Sequence, residues 1–238
     1  FRRVLFRSRF INKKNAIMLV EQRSQEWFDL RKGKITGSEI HKIMGDGKGK
    51  ELLTETAKSY LLEKVSESLG GFSAPVIGAA LDWGTDLEDT ARELYQAKTG
   101  NITSKCSFIA VNDFYGGSPD AIVEPEGVIE IKCPYGSANH FKHGLITSAA
   151  ELKKTSSAYY YQCMSHMLVT GAKWCDFISF DPRVDTDYMM FVYRLERDEE
   201  EIANIRSKID ISIQYMAEIR EKLPKFITAN TAVETTEE

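Results

Sequence analysis

An apolar stretch that carries two opposite charges constrains this chain more than any other feature of its 238 residues. The stretch reads Val128-Ile-Glu-Ile-Lys132, and Pro134 closes it shortly afterwards. Its β-branched residues and flanking turns predict a strand that is buried on both faces. Because side chains alternate along a strand, Glu130 and Lys132 project from the same face. A buried acid and base at this spacing indicate a functional site, since burying a charge is costly without a partner or a use.

A second acid precedes this strand. Nine residues separate Asp120 from Glu130, and they include a tight turn at 124–127. The turn predicts an antiparallel hairpin in which Asp120 faces Ile131, immediately beside Glu130. Cross-strand and diagonal neighbours in such a hairpin are about 5 to 8 Å apart. Two carboxylates at that separation are able to share one hard cation such as Mg²⁺, which prefers oxygen ligands.

These groups suit phosphodiester hydrolysis. A carboxylate-bound Mg²⁺ lowers the pKa of a bound water and stabilises the leaving oxygen. The ammonium group of Lys132 would orient the attacking water or neutralise charge on the phosphate. The residues alone leave an alternative open, in which Asp120 belongs to a turn and the Glu130 pair lies on an exposed strand face.

The order of predicted elements indicates a mixed α/β domain with a central sheet. Ser24 is expected to cap the first helix, and Thr36 with Glu39 resembles a capping box at the second. Helices are predicted over 24–31, 36–44, 54–69, 76–98 and 198–222, with a helical middle over 137–169. Strands are predicted over 102–111, 115–123, 128–132, 174–180 and 188–194.

Domain limits follow from changes in composition. Residues 18–224 are predicted to form a single domain, with the native start at Met18. The segment 1–17 is predicted to be a non-native basic extension, and 225–238 a flexible acidic tail. Removing the extension changes the formal charge from -4 to -10, so nucleic-acid binding would require a local basic groove. The absence of a long apolar run predicts a cytoplasmic protein without membrane contact.

Several motifs of the sequence resemble those of a known family. Ser118-Pro-Asp-Ala and Glu130-Ile-Lys-Cys-Pro134 are similar to the PD-(D/E)XK nuclease signature in the form used by phage lambda exonuclease and YqaJ-type viral recombinases. Further likenesses occur in family order, at 27–39, 81–91, 158–162 and 181–183. The resemblance implies a restriction-endonuclease-like core, with a central mixed sheet flanked by helices.

The resemblance also implies a role for individual residues. It implies that the metal is bound by the carboxylates of Glu88, Asp120 and Glu130 and by the backbone carbonyl of Ile131. The implied metal is Mg²⁺, with Mn²⁺ as a substitute, and Lys132 would position the attacking water. The DNA backbone or its terminal 5′-phosphate would be held by Arg31, Ser38, Ser118 and Gln162, with Tyr159 along the DNA path.

The implied function is Mg²⁺-dependent 5′-to-3′ exonuclease activity on linear double-stranded DNA, with a preference for 5′-phosphorylated ends. The 3′ overhang would serve recombination by single-strand annealing. Implied partners are DNA ends, an annealing protein and further copies of the chain in a ring-shaped trimer, in a bacterial cell carrying a phage or prophage. Two alternatives remain: another PD-(D/E)XK nuclease, either RecB-like or an endonuclease, and a catalytically weak DNA-end-binding protein.

Several residues carry plainer expectations. The four cysteines lack Cys-x-x-Cys spacing and are predicted to be core or incidental thiols. His140 and His143 are predicted to be surface residues that could face DNA, and His166 belongs to no motif. In the triplet 159–161 of three tyrosines, one is expected in the core and another exposed. The glycine-rich loop 45–50 is predicted to be mobile.

Overall fold

A computed structural model of the chain describes residues 20–49, 51–72 and 78–224. The predicted extension 1–17, the start at Met18 and the predicted tail 225–238 lie outside these ranges. The same holds for Lys50 and for Val76, the first residue of the helix predicted at 76–98.

Seven α-helices lie within the described residues, and each covers a region predicted to be helical. Ser24 accepts a hydrogen bond from the Trp27 amide and so caps the first helix as expected. Gly100 and Gly171 adopt left-handed backbone conformations and end two of the others. None of the described helices is both long and apolar enough to cross a membrane. The helices are α1 (Gln25–Arg31), α2 (Glu55–Ser68), α3 (Ala79–Thr99), α4 (Ser137–Gly144), α5 (Ala149–Thr155), α6 (Ser157–Thr170) and α7 (Glu199–Lys222).

The segment predicted as a capped α-helix at 36–44 forms a 3₁₀ helix, Gly37–Ile43, instead. Thr36, the N-cap residue that precedes it, makes no side-chain capping bond; its hydroxyl lies 3.3 Å from the Ser38 hydroxyl instead. A second 3₁₀ helix, Thr186–Tyr188, delays the start of the last strand by two residues relative to the prediction.

The strands form two sheets in the described part of the chain, rather than one. A five-stranded mixed sheet has the order β2-β5-β6-β7-β8, and a three-stranded sheet has the order β1-β4-β3. The predicted strand 115–123 divides between them because Ser118-Pro-Asp120 interrupts it. The strands are β1 (Ile35–Thr36), β2 (Thr103–Lys105), β3 (Ile109–Ala110), β4 (Tyr115–Gly117), β5 (Ala121–Val123), β6 (Gly127–Lys132), β7 (Trp174–Phe180) and β8 (Met190–Glu196).

The register of the β5–β6 hairpin differs by one residue from the prediction. Val123 pairs with Gly127, and Ala121 pairs with Ile129. The turn uses residues 124–126 and leaves Gly127 to begin β6, whereas the prediction had included Gly127 in the turn. Continuing this register places Asp120 opposite Glu130 instead of Ile131.

β6 lies at the centre of the five-stranded sheet and is buried on both faces, as predicted. On one face Val128 shares a core cluster with Cys163 and Met167 of α6. On the other face Ile129 shares a second cluster with Tyr95 of α3 and with Cys133. All four cysteines are free and buried, which confirms their prediction as core thiols.

A buried polar network fixes α3 against the sheet. The Tyr95 hydroxyl donates to Asp176 at 2.7 Å and accepts from the Asn101 amide at 2.7 Å. Arg194 donates to both oxygens of the same carboxylate, at 2.7 and 2.8 Å. Tyr95 follows Glu88 by two helical turns, so this anchor also sets the position of the Glu88 carboxylate relative to β6.

Candidate active site

A pocket of about 780 Å³ opens where β6 ends. Its lining includes Trp27, whose indole N–H donates to the Ser118 hydroxyl at 3.0 Å. Ser118 itself is not a wall residue. The other nine residues nominated from the sequence line this one pocket: Arg31, Ser38, Glu88, Asp120, Glu130, Ile131, Lys132, Tyr159 and Gln162.

Asp120 and Glu130 are neighbouring acids in unlike environments. Asp120 accepts a hydrogen bond from the Ile131 amide at 2.6 Å. Burial raises the pKa of the Asp120 carboxyl well above its usual range, and the charges of Glu130 and Glu88 raise it further. Burial also opposes ionisation of Glu130, but Lys132 and then His166 outweigh it and lower the pKa of Glu130. One acid of the pair is therefore held ionised while the other resists ionisation.

Lys132 is held between an acid and an aromatic ring. Its ammonium forms an ion pair with Glu130 and lies 5.0 Å from the centre of the Tyr159 ring. Burial alone would lower the pKa of Lys132, but Glu130 and Asp120 raise it above its ordinary value. The group is a permanent cation, which suits charge stabilisation and the orientation of water better than proton abstraction.

Trp27 organises the second half of the pocket. The guanidinium of Arg31 lies 4.0 Å from the centre of the Trp27 ring, and its Nη2 donates to the Ser38 hydroxyl at 3.3 Å. Burial lowers the pKa of Arg31. Together with the bond to Ser118, these contacts place a guanidinium and two hydroxyls around one indole. Such a donor set is well suited to phosphate oxygens.

Glu88 reaches the pocket from α3 and is paired with a residue that had not been nominated. Its Oε2 lies 2.8 Å from Nη2 of Arg23, which precedes α1 and also lines the pocket. Arg23 belongs to no motif in the sequence, and only the folded chain places it opposite an acid 65 residues away.

The donor chemistry of the pocket fits a hard cation, although its acids do not converge on one point. No three His, Cys, Asp or Glu side chains are arranged to hold a metal in the described ranges 20–49, 51–72 and 78–224. Glu88 and Glu130 are instead paired with Arg23 and Lys132. Oε2 of Glu130 is buried and accepts no hydrogen bond from the described residues. An oxygen in that state, beside the desolvated carboxyl of Asp120, is one that a cation would satisfy.

His166 is a further group that sequence reasoning did not nominate. Its Nδ1 lies 3.0 Å from Oε2 of Glu130, and both side chains are almost fully buried. The two atoms are close enough to pair, but neither meets hydrogen-bond geometry with any of the described residues. His166 follows Gln162 by four residues on α6, so helical periodicity from Gln162 could have indicated it.

The prediction that His140 and His143 lie on the surface is wrong. Both are buried, because α4 packs this face against β7. Each ring places its Nδ1 2.9 Å from the Ser179 hydroxyl, and Nε2 of His140 lies 2.7 Å from the Tyr188 carbonyl. A carbonyl only accepts, so neutral His140 donates through Nε2 and accepts from Ser179 through Nδ1. Neutral His143 must then donate its Nδ1 proton to Ser179.

His143 gives the fold a defined dependence on pH. Burial, His140 and Lys132 lower the pKa of His143 to about 4, whereas a histidine in an unfolded chain titrates near 6.5. The unfolded chain therefore binds more protons, so stability is lost as the pH falls from about 6.5 toward 4. We expect His143 to lower the free energy of unfolding by about 2 kcal/mol between pH 7 and pH 5.

Urea unfolding at the two pH values measures this loss. His143→Asn keeps a donor near the position of Nδ1 but does not titrate, so its stability should decline by about 2 kcal/mol less than that of the original protein. Equal declines in the two proteins would contradict the assignment.

The tyrosine triplet is more enclosed than expected, whereas the glycine-rich loop is largely exposed over residues 45–49. Tyr160 is buried and the two flanking tyrosines are half-buried, so the expectation of one exposed tyrosine is wrong. All three face neighbouring elements because α6 is covered on most sides. The first two residues of the loop are held by α7, because Lys208 donates to the Gly45 carbonyl at 3.2 Å and to the Asp46 carboxylate at 2.8 Å.

This fold, a mixed sheet between helices with the pocket at the end of its central strand, is that of nucleases with a restriction-endonuclease-like core. Comparison with family models is more specific. The model of the YqaJ-like viral recombinase domain matches residues 26–173, and the chain belongs to this family. No curated protein matches the sequence.

Solved structures agree with this assignment. The chain is 32% identical to an alkaline exonuclease from Laribacter hongkongensis, over 83% of this chain and 95% of that one, with a TM-score of 0.69. The complex of that exonuclease with dAMP gives a TM-score of 0.70 at the same identity and coverage. A phage-related exonuclease from Haemophilus somnus 129PT shares the fold at 20% identity, over 82% of this chain and 98% of that one, with a TM-score of 0.68.

Proposed function

We propose that this protein is a Mg²⁺-dependent 5′-to-3′ exonuclease that digests one strand of linear duplex DNA and leaves a 3′ overhang. One observation carries the proposal: Glu88, Asp120 and Glu130 line the same pocket as the Arg31 guanidinium and the Ser38 hydroxyl. The relative crystallised with dAMP supports it, because a deoxynucleoside monophosphate is the product that such an enzyme would release.

The residues divide the chemistry between them. The metal would be held by Glu88, Asp120, Glu130 and the carbonyl of Ile131. When bound, Mg²⁺ supplies positive charge to the scissile phosphate and lowers the pKa of a water ligand. The Lys132 ammonium, fixed by Glu130 and the Tyr159 ring, orients the water and offsets charge on the phosphate oxygens.

The Trp27 side of the pocket would bind the strand end. Arg31 and Ser38, which are bonded to each other, would hold the terminal 5′-phosphate. Ser118 and the buried Gln162 would donate to the backbone, and Tyr159 would line the DNA path. This division supports cleavage from the 5′ end, since the phosphate-binding donors and the acids occupy the same cavity.

The family assignment also supports a role in recombination. In that role the 3′ overhang is handed to a single-strand annealing protein. We propose that the active form is a ring-shaped trimer around the DNA, as the family resemblance implies. Sedimentation of the purified protein with and without duplex DNA would test the trimer independently of its activity.

The direct test uses linear duplex DNA with a 5′-phosphate, labelled at either the 5′ or the 3′ end of one strand. Early release of the 5′ label, with closed circular DNA left intact, is the expected result in Mg²⁺. Nicked circles or early release of the 3′ label would point to another PD-(D/E)XK nuclease. Binding of ends without any cleavage would point to a catalytically weak DNA-end-binding protein.

The preference for a 5′-phosphate is expected to depend on Arg31. Arg31→Ala removes a desolvated guanidinium and should abolish the difference in digestion rate between phosphorylated and hydroxyl ends, with a loss of roughly tenfold or more on phosphorylated ends. Initial rates on the two substrates measure this difference.

A matched control for Arg31 is Arg220 on α7. Arg220 also donates to a serine hydroxyl, that of Ser68 at 2.6 Å, and lies over an aromatic ring, that of Phe114. It does not line the pocket, so Arg220→Ala should leave the end preference intact. An end preference that survived in Arg31→Ala would show that another group reads the phosphate.

A further inference from the structure

Arg23 adopts a backbone conformation that its side chain disfavours. Its φ of 69° makes it the single non-glycine residue with a positive φ in the described part of the chain. It is neither asparagine nor aspartate, the residue types that tolerate this region best. A strained residue beside a candidate site is an observation from which a function can be sought.

The segment around Arg23 is tied down on both sides, which accounts for the conformation. Val20 exchanges two hydrogen bonds with Ser107, at 3.0 and 2.5 Å. Gln22 donates to the carbonyls of Cys106 and Pro119, at 2.5 and 3.1 Å. With Ser24 capping α1 immediately afterwards, the backbone turns at Arg23 and the side chain is directed into the pocket.

In the pocket Arg23 pairs with Glu88, and this ion pair is weak enough to be exchanged for another. The Arg23 side chain remains 42% exposed and that of Glu88 23% exposed, so water screens their ion pair. Such a pair contributes little to stability and gives way readily to a stronger competitor on either side. The strain at Arg23 is therefore not explained by the stability that this pair adds.

We propose that Arg23 is a DNA-phosphate-binding residue whose guanidinium rests on Glu88 until a divalent cation takes that carboxylate. This inference rests on the proposed function, because it requires Glu88 to be a metal ligand and DNA to enter the pocket. The carboxylate oxygens of Glu88 cannot fully bind the Arg23 guanidinium and a metal ion at the same time. Once displaced, the guanidinium fork stays in the pocket and matches a phosphodiester oxygen pair.

Metal and DNA binding are coupled by this arrangement. Whichever of the metal ion and DNA binds first must break the pair between Arg23 and Glu88. The second to bind does not, because the pair is already broken. The cost is shared, so each ligand raises the affinity for the other, and the coupling is reciprocal. The site would then favour a cation when DNA is present and hold Arg23 as an internal counter-ion when it is absent.

Arg23→Gly separates this role from a purely structural one. Glycine accepts a positive φ without strain, so the variant should fold. In the absence of DNA it lacks the competitor for Glu88, and calorimetric titration should show Mn²⁺ binding about two- to fivefold more tightly than in the original protein. DNA affinity should change in the opposite direction.

DNA binding is measured by fluorescence anisotropy of 5′-phosphorylated duplex with Mg²⁺, in a Lys132→Ala background that suppresses hydrolysis. Adding Arg23→Gly should weaken binding roughly tenfold and reduce the slope of log affinity against log salt by about one phosphate contact. Lys173→Ala is the matched control, because Lys173 forms an ion pair with Glu126 outside the pocket. It should change neither the Mn²⁺ nor the DNA affinity.

Each remaining outcome has a definite meaning. If the pair between Arg23 and Glu88 only stabilised the fold, Arg23→Gly would lower the affinity for metal and the affinity for DNA together, and that result overturns the inference. Unchanged affinities in a protein that digests DNA overturn the inference and leave the proposed function standing. A wild-type protein that neither binds Mn²⁺ nor hydrolyses DNA in Mg²⁺ refutes the proposed function, and the role of Arg23 with it.

Discussion

Lys132→Ala is expected to lower the hydrolysis rate by roughly 10³-fold while leaving the binding of metal and DNA largely intact. The reason is that the Lys132 ammonium acts on the developing charge and on the water, which are features of the transition state rather than of the bound substrate. Its position is fixed by the Glu130 carboxylate and the Tyr159 ring. Single-turnover cleavage measures the chemical step, and Mn²⁺ calorimetry with DNA anisotropy measures the binding steps.

The same substitution also tests the electrostatics of β6. Without metal, Lys132→Ala removes the ammonium partner of the buried Glu130 carboxylate and leaves it beside His166 and Asp120. We expect a loss of stability below the roughly 3 to 5 kcal/mol found for a fully buried pair, because Lys132 is partly exposed. Saturating Mg²⁺ should recover part of that loss, since the cation takes over as a partner of Glu130.

Lys153 provides the matched control. It also pairs with a glutamate, Glu201 at 2.6 Å, and lies 4.9 Å from a tyrosine ring centre, that of Tyr160. It is outside the pocket, so Lys153→Ala should cleave at the normal rate. If Lys132→Ala kept its activity, the role of Lys132 in the chemical step would have to be abandoned.

Asp120→Asn is expected to abolish hydrolysis and to weaken Mn²⁺ binding by about 100-fold or more, while making the metal-free protein more stable. The native pKa of Asp120 lies above its unfolded value because of burial and of the charges on Glu130 and Glu88. The native state therefore binds more protons, and stability is lost as the pH rises above about 4. Asparagine keeps the acceptor for the Ile131 amide and removes the repelled charge.

The two effects have opposite signs and are measured separately. Thermal unfolding in EDTA should show a higher midpoint at pH 7 for Asp120→Asn than for the original protein. Calorimetry should show little or no Mn²⁺ binding. Asp89→Asn, which removes an exposed acid paired with Lys105 on the outer side of α3, should change neither result appreciably. Wild-type Mn²⁺ affinity in Asp120→Asn would remove Asp120 from the set of ligands.

Local pattern was enough to predict the part of the site that lies on one strand. The alternation around Glu130 and the abrupt end at Pro134 predicted a doubly buried strand with two charges on one face, which the structure confirms. Hairpin register was not determined to better than one residue, because the turn could include or exclude Gly127. The division into two sheets was equally hidden, since Pro119 interrupts a stretch whose composition is otherwise that of one strand.

Residues whose roles depend on distant neighbours could not be predicted in the same way. His140 and His143 have the spacing of an exposed pair on a helix, and only the packing of α4 on Ser179 buries them. From the sequence alone, Arg23 is an ordinary solvated cation before a helix. Its contact with Glu88 depends on how Gln22 ties the segment before α1 to Cys106 and Pro119. Such contacts are properties of the tertiary fold.

The central position of β6 has a consequence for how the protein opens. Amide protons of the strand that carries Glu130 are flanked by β5 and β7 and should exchange with solvent only when the whole domain unfolds. The segment around Arg23 is held by a few side-chain bonds and should exchange through local opening, at a much lower free energy. Mild denaturant should therefore release Arg23 well before it disturbs Glu130, so loss of coupling between metal and DNA would precede loss of the fold.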